Sequence, residues 1–204
     1  EKIMLFEFDP KMEQKAKLKV IGVGGAGGNA INRMIRADMT GVDFIAINTD
    51  AQDLENNSAE QRIQIGKTLT KGLGAGARSS IGAEAMTTDK EAVQNVMESS
   101  DMVFITCGMG GGTGTGAAPV IAQIANELGI LTVGIVTLPF KFEGPRRLER
   151  AMEGISEMKK VCDTVIIIPN QKLMSIVDKN TTLSDSFLLA DSILHQATKG
   201  ISDL

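Results

Sequence analysis

Lys19-Val20-Ile21-Gly22-Val23-Gly24-Gly25-Ala26-Gly27-Gly28-Asn29 is the stretch on which the reading of this chain turns. An apolar, β-branched run over 19–23 passes directly into a glycine-rich loop at 22–29, and the loop opens a helical periodicity over about 28–37. Strand, glycine turn and helix in that order form one half of a β-α-β unit, the element from which parallel sheets with crossover helices are built. Gly22, Gly24 and Gly27 satisfy GxGxxG, a spacing that lets backbone N–H groups approach a pyrophosphate at a helix N-terminus. Taken alone, the same spacing also fits a tight turn with close strand–helix packing.

The alternation continues outward from this stretch. Strands are expected at 19–23, 44–48, 62–65, 102–107, 132–136 and 164–168, most of them apolar enough to be buried on both faces. Helices are expected at about 28–37, 88–98, 116–128, 146–160 and 182–202, the last with Leu183, Phe187, Leu194 and Ile201 at helical spacing. The fold class is therefore α/β: a doubly wound, mostly parallel sheet with helices on both faces, ending in a long C-terminal helix. Three segments follow, namely an N-terminal extension at 1–16, a nucleotide-binding domain at 17–181 and the long helix at 182–204. That helix is still in register at Leu204, which leads us to expect a continuation into a further domain.

Composition narrows the function classes. The 204 residues are 43% hydrophobic and 23% charged, ordinary for a globule with a sizeable core. A net charge of −4 without Trp or Tyr lacks the basic, aromatic surface that nucleic-acid binding requires, so no nucleic-acid partner is expected. The longest apolar stretch, 130–140, is broken by Thr132, Gly134, Thr137 and Pro139, and falls short of the roughly 20 residues that span a bilayer. Direct membrane insertion is not expected. Residues 1–12 show no secretory pattern, which points to a cytoplasmic protein. Cys107 and Cys162 stand far apart and His195 is the single histidine, so no protein-built metal site is expected.

The glycines concentrate in three windows, five at 22–28, four at 72–82 and six at 108–116. The third carries the chemistry furthest. Gly110-Gly111-Gly112-Thr113-Gly114-Thr115-Gly116 follows an apolar strand and leads into Ala117-Ala118-Pro119, a helix start whose proline falls in the first turn. Backbone N–H groups of so open a run can turn inward to form a nest, with a helix dipole behind it and two threonine hydroxyls in reach. Each glycine costs about 0.5–1 kcal/mol in chain entropy relative to alanine, an expensive choice for a mere connector. A branched residue at Gly112 is expected to block phosphate while leaving the fold intact. Gly66-Lys67-Thr68 is a decoy: the first glycine of a P-loop would fall on Gln61.

The run Gly110–Gly116 resembles the signature of the tubulin/FtsZ superfamily, and the surrounding sequence is similar to that of its bacterial cell-division members. The likeness covers nearly the whole chain: Gly22–Asn29, Asn48-Thr49-Asp50, Gly72-Leu73-Gly74-Ala75-Gly76, Pro139-Phe140 through Glu143 to Arg147, Ile168-Pro169-Asn170, and Phe187 with Asp191. The resemblance implies a GTP-binding, filament-forming GTPase of cell division that uses GTP or GDP with Mg²⁺. It further implies head-to-tail self-association, other division proteins as partners through a part beyond Leu204, and a place in the mid-cell division ring.

Carried over residue by residue, the resemblance implies nucleotide contacts from Gly24, Gly25, Ala26, Gly27, Gly28 and Asn29, with Asn48 beside them. Gly74, Ala75 and Gly76 would face the terminal phosphate, while Gly110, Gly111, Gly112, Thr113, Gly114, Thr115 and Gly116 would form the cradle. Pro139, Glu143 and Arg147 would reach the ribose and phosphates, and Asn170, Phe187 and Asp191 the base. An ionised Asp191 can accept both N1–H and N2–H of guanine, a donor pair that adenine lacks. On periodicity alone, Asp191 and Phe187 fit a solvated helix face and a core aromatic.

Two departures stand out. Where the family has Asn-Pro after Gly76, this chain reads Ala77-Arg78-Ser79-Ser80, and the acidic loop that family members carry after the long helix is absent. In the family that loop reaches over the neighbouring subunit's nucleotide and polarises the attacking water, so no catalytic base is assigned in this chain. The 204 residues are expected to bind GTP and barely hydrolyse it. Two other readings remain open: a nucleotide-gated structural module without turnover, and an NAD-dependent oxidoreductase resting on GxGxxG with Asp50 for the ribose.

Overall fold

The computed structural model describes residues 16–169 and, beyond them, Ser192 and Gln196, both helical and exposed. In chain order the elements are β1 (Leu18–Val23), α1 (Gly24–Arg36), β2 (Asp43–Asn48), α2 (Ala51–Glu55), β3 (Gln61–Gln64), α3 (Lys67–Thr70), α4 (Ser79–Thr88), α5 (Lys90–Met97), β4 (Met102–Gly108), α6 (Thr113–Glu127), β5 (Leu131–Leu138), α7 (Pro145–Val161) and β6 (Thr164–Pro169). A 3₁₀ turn at Lys141–Glu143 joins β5 to α7.

All six strands pair in parallel, in the order β3-β2-β1-β4-β5-β6. The chain winds outward from β1 to β3, crosses back beside β1 at β4, and winds out the other way to β6. That reversal between β1 and β4 opens a crevice at the carboxyl ends of the two strands, where ligands of open α/β sheets bind. The registers Val23↔Cys107 and Gly22↔Thr106 bring the two glycine-rich turns out side by side.

Successive residues of each strand serve opposite faces. Val20, Ala46 and Phe104 pack with Ala30, Ile31 and Met34 of α1 and Leu54 of α2. Ile21, Ile45, Ile105 and Val136 pack with Met86, Val93, Ile121 and Ile155 of α4 to α7. The doubly wound, parallel architecture expected from the sequence is thus present, with helices on both faces.

Three boundaries differ from the sequence reading. Helix α1 starts at Gly24, not at 28, so the first glycine window is itself the opening turn of the helix. Helix α6 starts at Thr113, not at 116, which places Pro119 inside the helix rather than in its first turn. Without an N–H, Pro119 leaves the Thr115 carbonyl without its usual i+4 donor. The helix expected at 88–98 is α5, which begins only at Lys90, and a further helix that was not expected, α4, precedes it and ends at Thr88, with the break at Asp89. Residues 1–15 of the extension at 1–16, the last residues of the 17–181 domain and most of the long helix at 182–202 lie outside the described residues, as do Asn170, Phe187 and Asp191.

Candidate functional site

The crevice holds a cavity of about 440 Å³. Gly24, Gly25 and Ala26 of α1 form one wall, and Gly111, Gly112, Thr113 and Gly114 at the start of α6 form the next. Gly74, Ala75 and Gly76 close a third side with Leu73. Asn48, Asp50 and Asp53 follow β2, and Thr137, Pro139, Glu143 and Arg147 complete the rim.

Backbone geometry explains the two helix starts. Gly24 has φ +74°, a conformation that a side chain would disfavour, and a Cβ there would lie 3.1 Å from the Gly114 nitrogen. Neither α1 nor α6 is capped by a side chain, and neither has an acidic residue in its first turn. Two helix N-termini, each equivalent to roughly half a positive charge, therefore point into one cavity with N–H groups left for a ligand. No lysine lines it. The positive potential comes from backbone dipoles and Arg147.

The carboxylates around the cavity are already engaged. Asp50 caps α2, its Oδ1 accepting from the Gln52 and Asp53 N–H groups at 2.9 and 3.1 Å. Asp53 Oδ2 accepts from Asn48 Nδ2 at 3.4 Å. Glu143 accepts the Phe140 N–H through Oε2 and pairs with Arg147 Nε through Oε1 at 3.3 Å, which fixes the 3₁₀ turn and the arginine together. Beneath the cavity Cys107 is buried, and desolvation pushes its thiol from 9.0 up to about 12, with Cys162 adding to the rise. It stays protonated at neutral pH and is no nucleophile.

Several residues singled out from the sequence lie beside the cavity instead of in its wall. A Cβ on Gly27 would lie 2.5 Å from the Thr106 carbonyl oxygen, and one on Gly116 would lie 1.9 Å from that of Ser79. These two glycines allow close approach of α1 to β4 and of α6 to α4. Gly110, with φ +107°, donates its N–H to Thr115 Oγ1 at 2.8 Å and accepts from Arg150 Nε at 2.9 Å, so Gly110 and Thr115 brace the turn from behind. Gly28 and Asn29 line a smaller pocket of about 60 Å³ that shares Gly24, Gly25, Asn48 and Asp53 with the larger one.

Sequence reasoning did not single out Asp53, Leu73 or Thr137 for the site. Asp53 sits on the first turn of a five-residue helix that leaves no periodicity to read, and Leu73, 83% exposed, reads as an ordinary loop residue. Arg78 stands at the start of α4 and is not among the lining residues, while Lys67 is exposed.

A parallel sheet of this strand order, with two uncapped helix starts and a glycine-lined cavity at the switch point, defines an open α/β domain with a cavity where such sheets take their ligands. Residues 17–178 match the family described as "Tubulin/FtsZ family, GTPase domain", and the chain belongs to that family. Among solved structures it is similar to an empty FtsZ dimer of M. jannaschii, at 49% identity over 95% of this chain and 56% of that one, with a TM-score of 0.90. A mutant FtsZ of M. jannaschii gives 50% identity, 93% and 57% coverage and a TM-score of 0.89. A GDP-bound CetZ1 monomer of Haloferax volcanii gives 25%, 88% and 58%, and 0.78. The chain thus spans a little over half the length of the solved structures it matches.

Proposed function

We propose that the chain is the GTP-binding part of a filament-forming cytoskeletal GTPase that assembles the cell-division ring in the cytoplasm. The observation that carries this reading is the convergence of the α1 and α6 N-termini on one glycine-lined cavity. Such a site takes the phosphates of a nucleotide through backbone N–H groups. Membership of the tubulin/FtsZ family and the GDP bound to the CetZ1 relative support a guanine nucleotide.

In this reading Gly25, Gly111, Gly112, Thr113 and Gly114 hold phosphate oxygens. Arg147, oriented by Glu143, adds a charged hydrogen bond at the ribose and phosphate end. Asn29, Asn170, Phe187 and Asp191 read the base. Among the described residues no group of three or more His, Cys, Asp or Glu forms a metal cage. A Mg²⁺ would therefore be held mainly by the phosphates, with Asp50 and Asp53 the aspartates that line the cavity. When bound, the ion supplies offset of phosphate charge for in-line attack.

Hydrolysis is completed by an acidic loop from an adjacent subunit, in head-to-tail filaments for which the FtsZ dimer is support. Other division proteins bind outside the 204 residues. No helix among the described residues is long and apolar enough to cross a membrane. Steady-state GTP turnover tests the reading: the 204-residue polypeptide binds GTP but hydrolyses it barely above background at every concentration. Intact subunits of such a protein hydrolyse GTP at a specific rate that climbs steeply with concentration. Robust hydrolysis by the 204 residues alone would refute the shared site.

A further inference from the structure

Thr49 is fully buried and is not part of the cavity wall, yet it touches two of the elements that form it. Its Oγ1 lies 2.7 Å from Oγ1 of Thr113, the first residue of α6, and 4.0 Å from the position of a Cβ on Gly74. Its backbone is pinned. The Thr49 N–H donates to Asn48 Oδ1 at 2.8 Å, and its carbonyl accepts from Thr70 Oγ1 at 3.4 Å.

Each hydroxyl carries one proton and two acceptor lone pairs. The pair has two arrangements, one with Thr113 donating to Thr49 and one with Thr49 donating to Thr113. Only the second leaves the Thr113 proton for the cavity, where Thr113 is a lining residue. An anionic oxygen placed there selects it.

We propose that Thr49 is a positioning residue for nucleotide binding: its buried hydroxyl donates to Thr113 Oγ1, so that the Thr113 proton is aimed at a phosphate oxygen. The proposal rests on the reading of the cavity as a nucleotide-phosphate site. It also gives the turn after β2 a link to that site. Asn48 Oδ1 accepts from both the Thr49 and the Asp50 N–H groups, so an anion that fixes the Thr113 hydroxyl also fixes the turn carrying Asp50.

The experiment is fluorescence titration of the purified chain with mant-GDP, applied to wild type, Thr49→Val, Thr49→Ser, Thr113→Val and the Thr49→Val/Thr113→Val double variant. Valine keeps the shape of threonine and removes the hydroxyl; serine restores it. Thr49→Val is expected to weaken binding about tenfold, on the scale of one charge-assisted hydrogen bond, and Thr49→Ser to recover most of the loss. The double variant should bind no more weakly than Thr113→Val alone, because both hydroxyls act through one hydrogen bond. A merely structural role would instead lower the melting temperature of Thr49→Val in step with its affinity, whereas positioning leaves the melt close to wild type. If Thr49→Val does not fold, Thr49→Cys, with its weak S–H donor, carries the same cycle with a smaller expected loss. Wild-type affinity in the Thr49 variant, or losses that simply add, would overturn the proposal while leaving the nucleotide site standing. Failure of the wild-type chain to bind mant-GDP would bring down the nucleotide reading and this proposal with it.

Discussion

Gly27 of α1 and Thr106 of β4 are in backbone contact: a Cβ on the glycine would sit 2.5 Å from the threonine carbonyl oxygen. Gly25, two residues earlier, is exposed, and a Cβ there would meet nothing closer than Asp53 Oδ2 at 3.5 Å. One glycine window therefore serves two purposes, packing and ligand access, and substitution separates them. Gly27→Ala should destabilise the fold by about 1–3 kcal/mol through overpacking. Gly25→Val should melt within a few degrees of wild type yet lose most of its nucleotide affinity, because its side chain enters the cavity. Paired thermal melts and nucleotide titrations check both; equal loss of stability in the two variants would contradict the division.

The third glycine window divides in the same way. A Cβ on Gly112 would lie 2.3 Å from the Gly76 carbonyl oxygen and 3.1 Å from that of Arg78. The expectation that a branched residue there spares the fold is therefore corrected: Gly112→Val should displace the 75–78 loop and lower the melting temperature. Gly111 has room, its nearest neighbour being Arg147 Nη2 at 3.8 Å. Gly111→Val should keep the circular dichroism spectrum and the melt while binding nucleotide at least tenfold more weakly.

Base selection rests on Asp191 in our proposal. Asp191→Asn would set an amide donor against a guanine donor, a penalty of about 1–3 kcal/mol for the unsatisfied group. Competition between GTP and ATP for the site should show the preference for guanine falling by one to two orders of magnitude. An unchanged preference would remove Asp191 from the base-reading role.

The thiols give the fold a pH limit. Burial raises Cys107 from 9.0 to about 12, and burial together with Asp163 raises Cys162 from 9.0 to about 11. A folded-state pKa above the unfolded one stabilises fully below the unfolded value and fades as pH climbs through the folded value. Thermal midpoints should therefore be flat in this respect up to about pH 9 and fall between pH 9 and 12, less steeply in Cys107→Ala. A thiol reagent at pH 8 should label Cys107 only after denaturation.

Much of the fold was legible because the strands are short β-branched runs between turn residues, and all six lie within two residues of their expected ends. The helix starts were not. Glycine is a poor helix former, so nothing in the local sequence shows that Gly24 to Gly28 or Thr113 to Gly116 are helical; the helices are held there by tertiary contact. Helix α4 was missed for a related reason. Its Gly82 breaks the pattern, and the structure shows why it is glycine: a Cβ would lie 2.5 Å from the Gly112 carbonyl oxygen. Asp89 reads as a helix residue, but its carboxylate accepts the Gly66 N–H at 2.7 Å and the helix breaks there. Of the site, the glycines were readable by spacing, whereas Asp53 and the Thr49–Thr113 contact depend on the fold bringing distant segments together.

The measurement that bears most directly on the central claim is the identity of the nucleotide released when the purified chain, loaded with an equimolar mixture of guanine, adenine and nicotinamide nucleotides and freed of excess, is denatured and its supernatant chromatographed. The account predicts close to one guanine nucleotide per chain from wild type and almost none from Gly25→Val. Release of NAD or an adenine nucleotide, or undiminished guanine nucleotide from the Gly25 variant, would contradict it.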